Sequence, residues 1–527
     1  MTYTSLKFML FAAATLLLYY LVGRKGQKYV LLLANIAFFV LVGPKFLPFI
    51  LFTILVSYFC ARGIGSLWDK TEAELANCTE VSQKKEIKEA SKKKARTYLI
   101  LAFIGIVGVL VVCKYSNFVA NSMNSLLSAF SAPVIPDFKM ILPIGISFYT
   151  FMAVSYLLDV FWKRYPAEKN LLLFAVYLSY FPHVVQGPID RYDKIKPQIE
   201  SGVAFSYENL TYGAQLVLWG LIKKLVLADR IGLFVDTVYD GWQNYTGVIF
   251  VVATVLYSIQ IYADFSGCID IVTGISEMLG IKLTQNFNHP YFSKTMPEFW
   301  RRWHMSLMEW FKDYIYLPVS VSALVKKVKK KTKAKNRKKA GELFATCFPT
   351  LIVWLATGIW HGASWTFVAW GLFHAILIIG GTLLEGTFKK MTSALKIQTE
   401  NFGWKLFQMA RTFTLCCIGR VFFRADSLAS AFGIFARTFS SFAFSNLDLK
   451  KLSTFGMTEI DLAVILIGIL ILWTVSMLQE RMGVRETIAK QNIIFRWIIY
   501  FAAIYIILIF GMYGPSFNAA DFIYAGF

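Results

Sequence analysis

Trp365–Leu384 reads WTFVAWGLFHAILIIGGTLL, twenty consecutive residues without a charged side chain. At about 1.5 Å per residue, a helix of that length covers roughly 30 Å, the hydrocarbon thickness of a bilayer. The run is too long for a buried strand and apolar on every face, so it reads as a membrane helix. The pattern recurs at Phe8–Gly23, Val30–Val42, Leu47–Cys60, Tyr98–Cys113, Ile141–Phe161 and Leu171–Val185. It returns at Leu210–Leu227, Val248–Ala263, Phe344–Trp360, Phe407–Phe423, Leu462–Leu478 and Trp497–Met512. The predicted fold class is all-α: a polytopic integral membrane protein with about 11–13 membrane elements, some short enough to be tilted, re-entrant or broken. No internal repeat is visible, so residues 1–527 read as a single integrated membrane domain.

Composition agrees. The set AVILMFWYC makes up 57 % of the 527 residues and charged residues only 16 %, against a usual charged share of about 25 %. Such a chain cannot cover itself with polar surface, which excludes a disordered protein, a disulfide scaffold and a soluble cytosolic enzyme. No cleavable signal peptide is expected, because Phe8–Gly23 is long for a signal core and no small-residue cleavage site follows. The seven Cys residues lie mostly in apolar spans without CxxC spacing. They are expected to pack as small hydrophobes, with no disulfide and no metal.

The formal net charge is nevertheless +22. Much of it has an address. Lys326–Lys339 carries ten basic residues and no acid, Arg62–Arg96 nine against six, and Arg24–Lys28 three. The positive-inside rule places all three on the cytoplasmic side and the N-terminus outside. Residues 62–96 are then a cytoplasmic charged loop, and residues 282–343 a cytoplasmic or interfacial segment with a basic loop at 326–339. The charge reads as topological, close to anionic lipid, and not as a nucleic-acid footprint. Gly232–Gly247 has no Lys or Arg and should face outward. Five plain spans lie between the cytoplasmic stretches at Arg96 and Lys326, an odd number, so either one of them does not cross or an extra element lies in Pro297–Pro318. Leu171–Val185 is the candidate, since it is short and runs into Pro182 and Pro188.

Ionisable residues in membrane context are candidate functional sites. The five histidines are His183, His289, His304, His361 and His374. His361 follows Trp360 and sits between Gly358 and Gly362, glycines that permit close backbone approach or a broken helix. A neutral imidazole there can act as a base. His304 lies in Pro297–Pro318, a stretch too charged for lipid. It holds Arg301 and Arg302 interleaved with Trp300, Trp303 and Trp310. Two readings stay open for it: an interfacial amphipathic helix with an aromatic belt, or a helix lining an aqueous pocket with arginines facing an anionic ligand. Gln260 and Asp264 fall inside an apolar run, and pairing with a neighbouring Arg is expected for Asp264 because a buried lone carboxylate is costly. Lys223, Lys224, Asp229 and Arg230 are expected at a membrane boundary, as are Arg420 and Arg424.

Several segments resemble the membrane-bound O-acyltransferase (MBOAT) family, and within it the bacterial branch that O-acetylates polysaccharides. They are Leu142–Tyr149 (LPIGISFY), Phe181–Pro188 (FPHVVQGP), Gln260–Gly267 (QIYADFSG), Asn286–Tyr291 (NFNHPY) and Glu298–Leu307 (EFWRRWHMSL). Asp313–Pro318 (DYIYLP), Gly358–Gly362 (GIWHG), Val421–Ala425 (VFFRA) and Phe522–Tyr524 (FIY) follow in family order.

The resemblance implies a helical fold around a funnel or tunnel. His361 matches the family's essential histidine and His304 its second intramembrane polar position. The implied reaction is transfer of an acetyl group from cytosolic acetyl-CoA across the membrane, for O-acetylation of an exported cell-wall or extracellular polysaccharide. No cofactor is expected to stay bound. Arg301, Arg302, Trp303, Asp264, Gln260 and Trp360 are the expected substrate-binding residues, and Tyr524 a possible acyl relay. The expected partners are membrane lipid, an extracytoplasmic SGNH-type acetyltransferase and the polysaccharide acceptor, in a bacterial plasma membrane. The alternatives are D-alanyl transfer to teichoic acid from a carrier protein and, in another class, a glycolipid transporter or flippase, against which the lack of repeats weighs.

Overall fold

The computed structural model describes residues 1–440 and 449–514. Among the described residues there is no β-strand, and nine helices are long and apolar enough to cross a membrane. Two shorter apolar helices accompany them. The protein is therefore an all-α polytopic membrane protein. The chain divides into two compact units: Met1–Ala214 with Val272–Thr284, and Gln215–Ile271 with Gln285–Phe527.

The first unit is built from α1 (Leu6–Leu21), α2 (Gly23–Val42), α3 (Leu47–Ala76), α4 (Val81–Ala129), α5 (Ile146–Phe161), α6 (Leu171–Ser179) and α7 (Tyr192–Ser201). The charged stretch 62–96 is not a loop. It is the end of α3 and the start of α4, joined by a short turn at residues 77–80. Helix α5 is predominantly apolar and is buried on nearly every face, taking Ser147, Thr150, Ser155 and Asp159 inside with it. It begins at Gly145 in the left-handed region (φ 72°), where a Cβ would lie 2.2 Å from the Val184 carbonyl oxygen.

That carbonyl belongs to an irregular segment following α6, which at nine residues is too short to cross a bilayer. Buried irregular backbone must have its polar groups satisfied from within. Here Asn35 Oδ1 accepts the Phe181 N–H (2.9 Å), the Tyr3 hydroxyl donates to the Phe181 carbonyl (2.9 Å), and the Tyr177 hydroxyl donates to the Asp190 carbonyl (2.8 Å). His183 is fully buried between Asp190 Oδ2 (3.3 Å) and the Tyr177 carbonyl (3.0 Å). It is a strut of this segment.

The second unit starts within α8 (Tyr207–Leu221), which runs through a π-helical turn at Ile222–Ala228 into α9 (Asp229–Asp240). It includes most of α10 (Val248–Met278), then α11 (Met296–Arg302), α12 (Met305–Phe311), α13 (Leu317–Ser320) and α14 (Ala323–Ala334). The long helices α15 (Lys338–His361), α16 (Trp365–Ala394) and α17 (Phe402–Arg424) follow. The unit continues through α18 (Leu428–Ser440), α19 (Glu459–Gln479), α20 (Val484–Ala489) and α21 (Ile493–Phe510). Most of the basic segment at 326–339, expected as a loop, is helical: it ends α14 and starts α15, with only residues 335–337 between them. In α14, Val325 is buried and the lysines stay exposed.

Two expectations about charge are corrected in this unit. Lys223 and Lys224 do not reach the surface as snorkelling lysines would: both are buried. Helices α8 and α10 cross where a Cβ on Gly220 would lie 2.5 Å from the Gly267 carbonyl oxygen. That close crossing brings both lysines onto α10. Lys223 Nζ reaches Asp270 (2.6 Å) and Ser266 Oγ (2.8 Å), while Lys224 Nζ reaches Asp264 (2.6 Å) and Asp229 (2.7 Å). Burial is tolerated because each ammonium meets carboxylate. Arg420 is likewise buried, its guanidinium 4.5 Å from the centre of the Trp303 ring. Arg424 is held by Asp236 (2.7 Å) and Asp240 (2.8 Å).

Candidate active site

The stretch Pro297–Pro318 is not one helix. α11 ends at Arg302, Trp303 is extended, and His304 caps α12 with φ 47°, a rare value for a residue with a side chain. Neighbouring chain clamps the break. The Asn288 N–H donates to the Arg302 carbonyl and the Met305 N–H to the Asn286 carbonyl, both at 2.9 Å. Asn286 also uses its side chain. Its Oδ1 lies 3.2 Å from His304 Nδ1 and accepts from the Ser306 hydroxyl at 2.8 Å. His304 is thus fixed at a deliberate break, 1 % exposed. Burial pushes its imidazole down to about 3, so it is neutral at ordinary pH.

His361 is the last residue of α15, followed by extended Gly362. Glycines place it. At Gly358, one turn earlier, a Cβ would lie 2.4 Å from the Phe367 carbonyl oxygen; at Gly371 it would lie 2.4 Å from that of Trp354. Helices α15 and α16 therefore touch backbone to backbone just below His361. Its buried ring is walled by Trp360 (4.8 Å between centroids), Trp370 (4.9 Å) and Phe423 (5.4 Å). Trp360 also approaches the His304 ring at 6.0 Å. Both histidines thus approach one indole, though nearly sixty residues separate them in sequence.

The other expected residues divide. Trp303 is buried between Phe299 and the Arg420 guanidinium. Arg302 is held by Glu298 (3.2 Å) and Glu480 (2.5 Å), so its charge is already compensated. Arg301 is exposed. Asp264 is paired as expected for a buried carboxylate, but with Lys224 and not with an arginine. Gln260, one turn earlier on α10, has its side-chain oxygen buried without a hydrogen-bond partner. Tyr524 lies outside the described residues. Among the described residues, no group of three His, Cys, Asp or Glu side chains is arranged to hold a metal ion.

The structure adds residues that sequence reasoning missed. His374 is 2 % exposed and packs edge-on against Trp300 (5.0 Å) and Trp370 (4.8 Å), with Trp354 at 5.1 Å. Only its membership of the five histidines pointed to it, and nothing in the sequence placed α11 against α16. Buried polar atoms are ordinarily paired. In the aromatic cluster that reaches His361 through Trp370 three are not: Trp300 Nε1, Trp370 Nε1 and His374 Nδ1. Asn286 Nδ2, beside His304, is unpaired as well. A buried imidazole base packed among aromatic rings, with unsatisfied indole donors in the same cluster, suits a charge-separating reaction.

Comparison with known proteins agrees with this chemistry. The sequence model of the membrane-bound O-acyltransferase family matches residues 45–423, which include every histidine of the chain. A protein described as a probable alginate O-acetylase, from Pseudomonas aeruginosa, is 30 % identical over 88 % of this chain and 79 % of its own length. A peptidoglycan O-acetyltransferase from Helicobacter pylori is 28 % identical over 76 % of this chain and 71 % of its own length. A teichoic acid D-alanyltransferase from Bacillus subtilis is 27 % identical over 54 % of this chain and 69 % of its own length.

Proposed function

The chain belongs to the membrane-bound O-acyltransferase family and is an O-acyltransferase, and on that premise we propose that it carries acetyl groups from cytosolic acetyl-CoA across a bacterial plasma membrane for O-acetylation of an exported polysaccharide. The acetyl assignment is supported by coverage. The alginate and peptidoglycan relatives align over 88 % and 76 % of the chain, the D-alanyl relative over 54 %. The observation that carries the mechanism is His361, a buried imidazole packed among aromatic rings, with Trp360 shared between it and His304.

In this reading His361 takes the proton of the acceptor hydroxyl, whose oxygen attacks the thioester carbonyl carbon. The carbonyl electrons move onto oxygen and return as the C–S bond breaks. The departing CoA thiolate takes the proton back from the imidazolium, so no net proton is consumed. His304, neutral and held by Asn286, orients the acceptor. Arg302 is engaged by Glu298 and Glu480, so the phosphates of the donor fall to exposed Arg301 and the lysines of α14. The basic segments face the cytoplasm and the N-terminus lies outside. An SGNH-type acetyltransferase on the outer side passes the acetyl group on to the polysaccharide.

Purified His361→Ala, expressed and folded as the parent, loses acetyl-CoA-dependent acyl transfer. Full activity in that variant refutes the assignment of His361.

A further inference from the structure

Three buried nitrogens in the aromatic cluster that reaches His361 through Trp370 have no hydrogen-bond partner: Trp300 Nε1, Trp370 Nε1 and His374 Nδ1. They belong to one cluster. The Trp300 and Trp370 rings are 5.6 Å apart, and the His374 ring touches both. All three side chains are at most 4 % exposed. An indole N–H is a donor only, so neither tryptophan can be satisfied by turning acceptor. A buried donor left unpaired costs about 1–3 kcal/mol. Phenylalanine would fill most of the same volume without that cost. His374 does not relieve it, because its Nε2 faces Gly419 of α17, 3.0 Å from where a Cβ there would stand. Trp370 is also a wall of the His361 ring, at 4.9 Å. One unsatisfied donor therefore sits on the ring that borders the imidazole of the proposed reaction, and the second, on Trp300, lies next to it in the cluster.

We propose that the indole N–H groups of Trp370 and Trp300 form the oxyanion-binding element of this enzyme, receiving the acyl carbonyl oxygen as negative charge builds on it. The inference rests on the acyl-transfer reading above. When the acceptor oxygen attacks, the carbonyl π electrons become a lone pair on oxygen, and the two indole donors stabilise that charge. They lose it again when the C=O bond reforms and the C–S bond breaks. Fixed donors in a dry site act where charge develops and need no reorganisation during the reaction. The aromatic wall supplies the low dielectric that strengthens each bond.

The test is Trp370→Phe and Trp300→Phe in the detergent-purified full chain, with Trp354→Phe as packing control in the same aromatic cluster and His361→Ala as the catalytic control. Initial rates of acetyl-CoA consumption give kcat and KM, and a thermal melt reports folding. Each of the first two variants lowers kcat by about 10²-fold, with donor KM within about twofold and an unchanged melt, because the bond exists only after attack. Trp354→Phe keeps kcat within about threefold. If a Phe variant does not fold, benzothienylalanine at that position replaces only the N–H by sulfur and gives the same loss. Parental kcat in both Phe variants, with His361→Ala inactive, overturns the donor assignment alone: the N–H groups are then spent on neighbouring ring faces. A parent protein that consumes no acyl thioester overturns the proposed function and this inference with it.

Discussion

Gly371→Ala is the most discriminating test of how His361 is positioned. The added methyl carbon would stand 2.4 Å from the Trp354 carbonyl oxygen and 3.2 Å from Gly358 Cα. Both are backbone atoms and cannot rotate away. Bringing the first contact merely to 3.0 Å requires α15 and α16 to part by about 0.6 Å. Overpacking of this kind costs about 1–3 kcal/mol. The functional effect is larger, since the separation falls one turn below His361 and directly beside Trp370. A misplacement approaching 1 Å is worth about 10²-fold in rate. Gly371→Ala therefore reduces kcat by one to two orders of magnitude while lowering the melting midpoint only modestly. Gly358→Ala does the same through the Phe367 carbonyl, again at 2.4 Å. Gly381→Ala, on the same helix, meets nothing within 4 Å and behaves as the parent. Initial rates and thermal melts of the three variants in one detergent decide it. If Gly371→Ala is as active as Gly381→Ala, the two helices are not in backbone contact and the account of how His361 is placed fails.

Two further expectations concern buried charge. Lys224→Met leaves Asp264 and Asp229 facing each other without their shared cation and destabilises the protein by about 3–5 kcal/mol; Asp264→Asn costs much less, because Lys224 keeps Asp229, and equal melts for the two variants contradict the pairing. His304 has its folded value lowered from 6.5 to about 3 by burial, so the unfolded chain binds the extra proton between those limits. Its contribution is intact above pH 6.5 and is lost as pH falls from 6.5 toward 3. Melts of His304→Gln accordingly fall less steeply than the parent's over pH 6.5 to 4, and parallel curves would show that His304 is not buried as a neutral base.

The membrane helices were legible because one physical fact decides them: a run such as Trp365–Leu384 carries no charged side chain over the thickness of a bilayer, and a helix satisfies its backbone from within. The candidate base was legible for a related reason, since the glycines around His361 have no use in a lipid-facing helix unless something packs against them. What could not be read was pairing at a distance. Lys223 and Lys224 look like boundary residues because a lysine in an apolar stretch normally snorkels to water. Only the crossing of α8 and α10 at Gly220 and Gly267 shows that three aspartates are there to receive them. Pro297–Pro318 reads as helix throughout because propensity is local. Its break at Trp303–His304 is imposed by Asn286 and Asn288, more than a dozen residues away.

The treatment of polar groups separates scaffold from site within the second unit. Where the fold buries lysines it compensates them: Lys223 with Asp270, Lys224 with two aspartates. A chain able to arrange that had every means to satisfy two indole nitrogens, by a nearby carbonyl or by substituting phenylalanine. Around His361 it did neither, although an unpaired donor is costlier in a membrane protein's interior than at a wet surface. The cost persists where the missing partner arrives with the substrate. By the same logic His183, which has a partner on each ring nitrogen, belongs to the scaffold, although its fully buried histidine looks no less functional in the sequence than His361 does. Substitutions at compensated groups should therefore be read first in stability, and substitutions at uncompensated ones first in kcat.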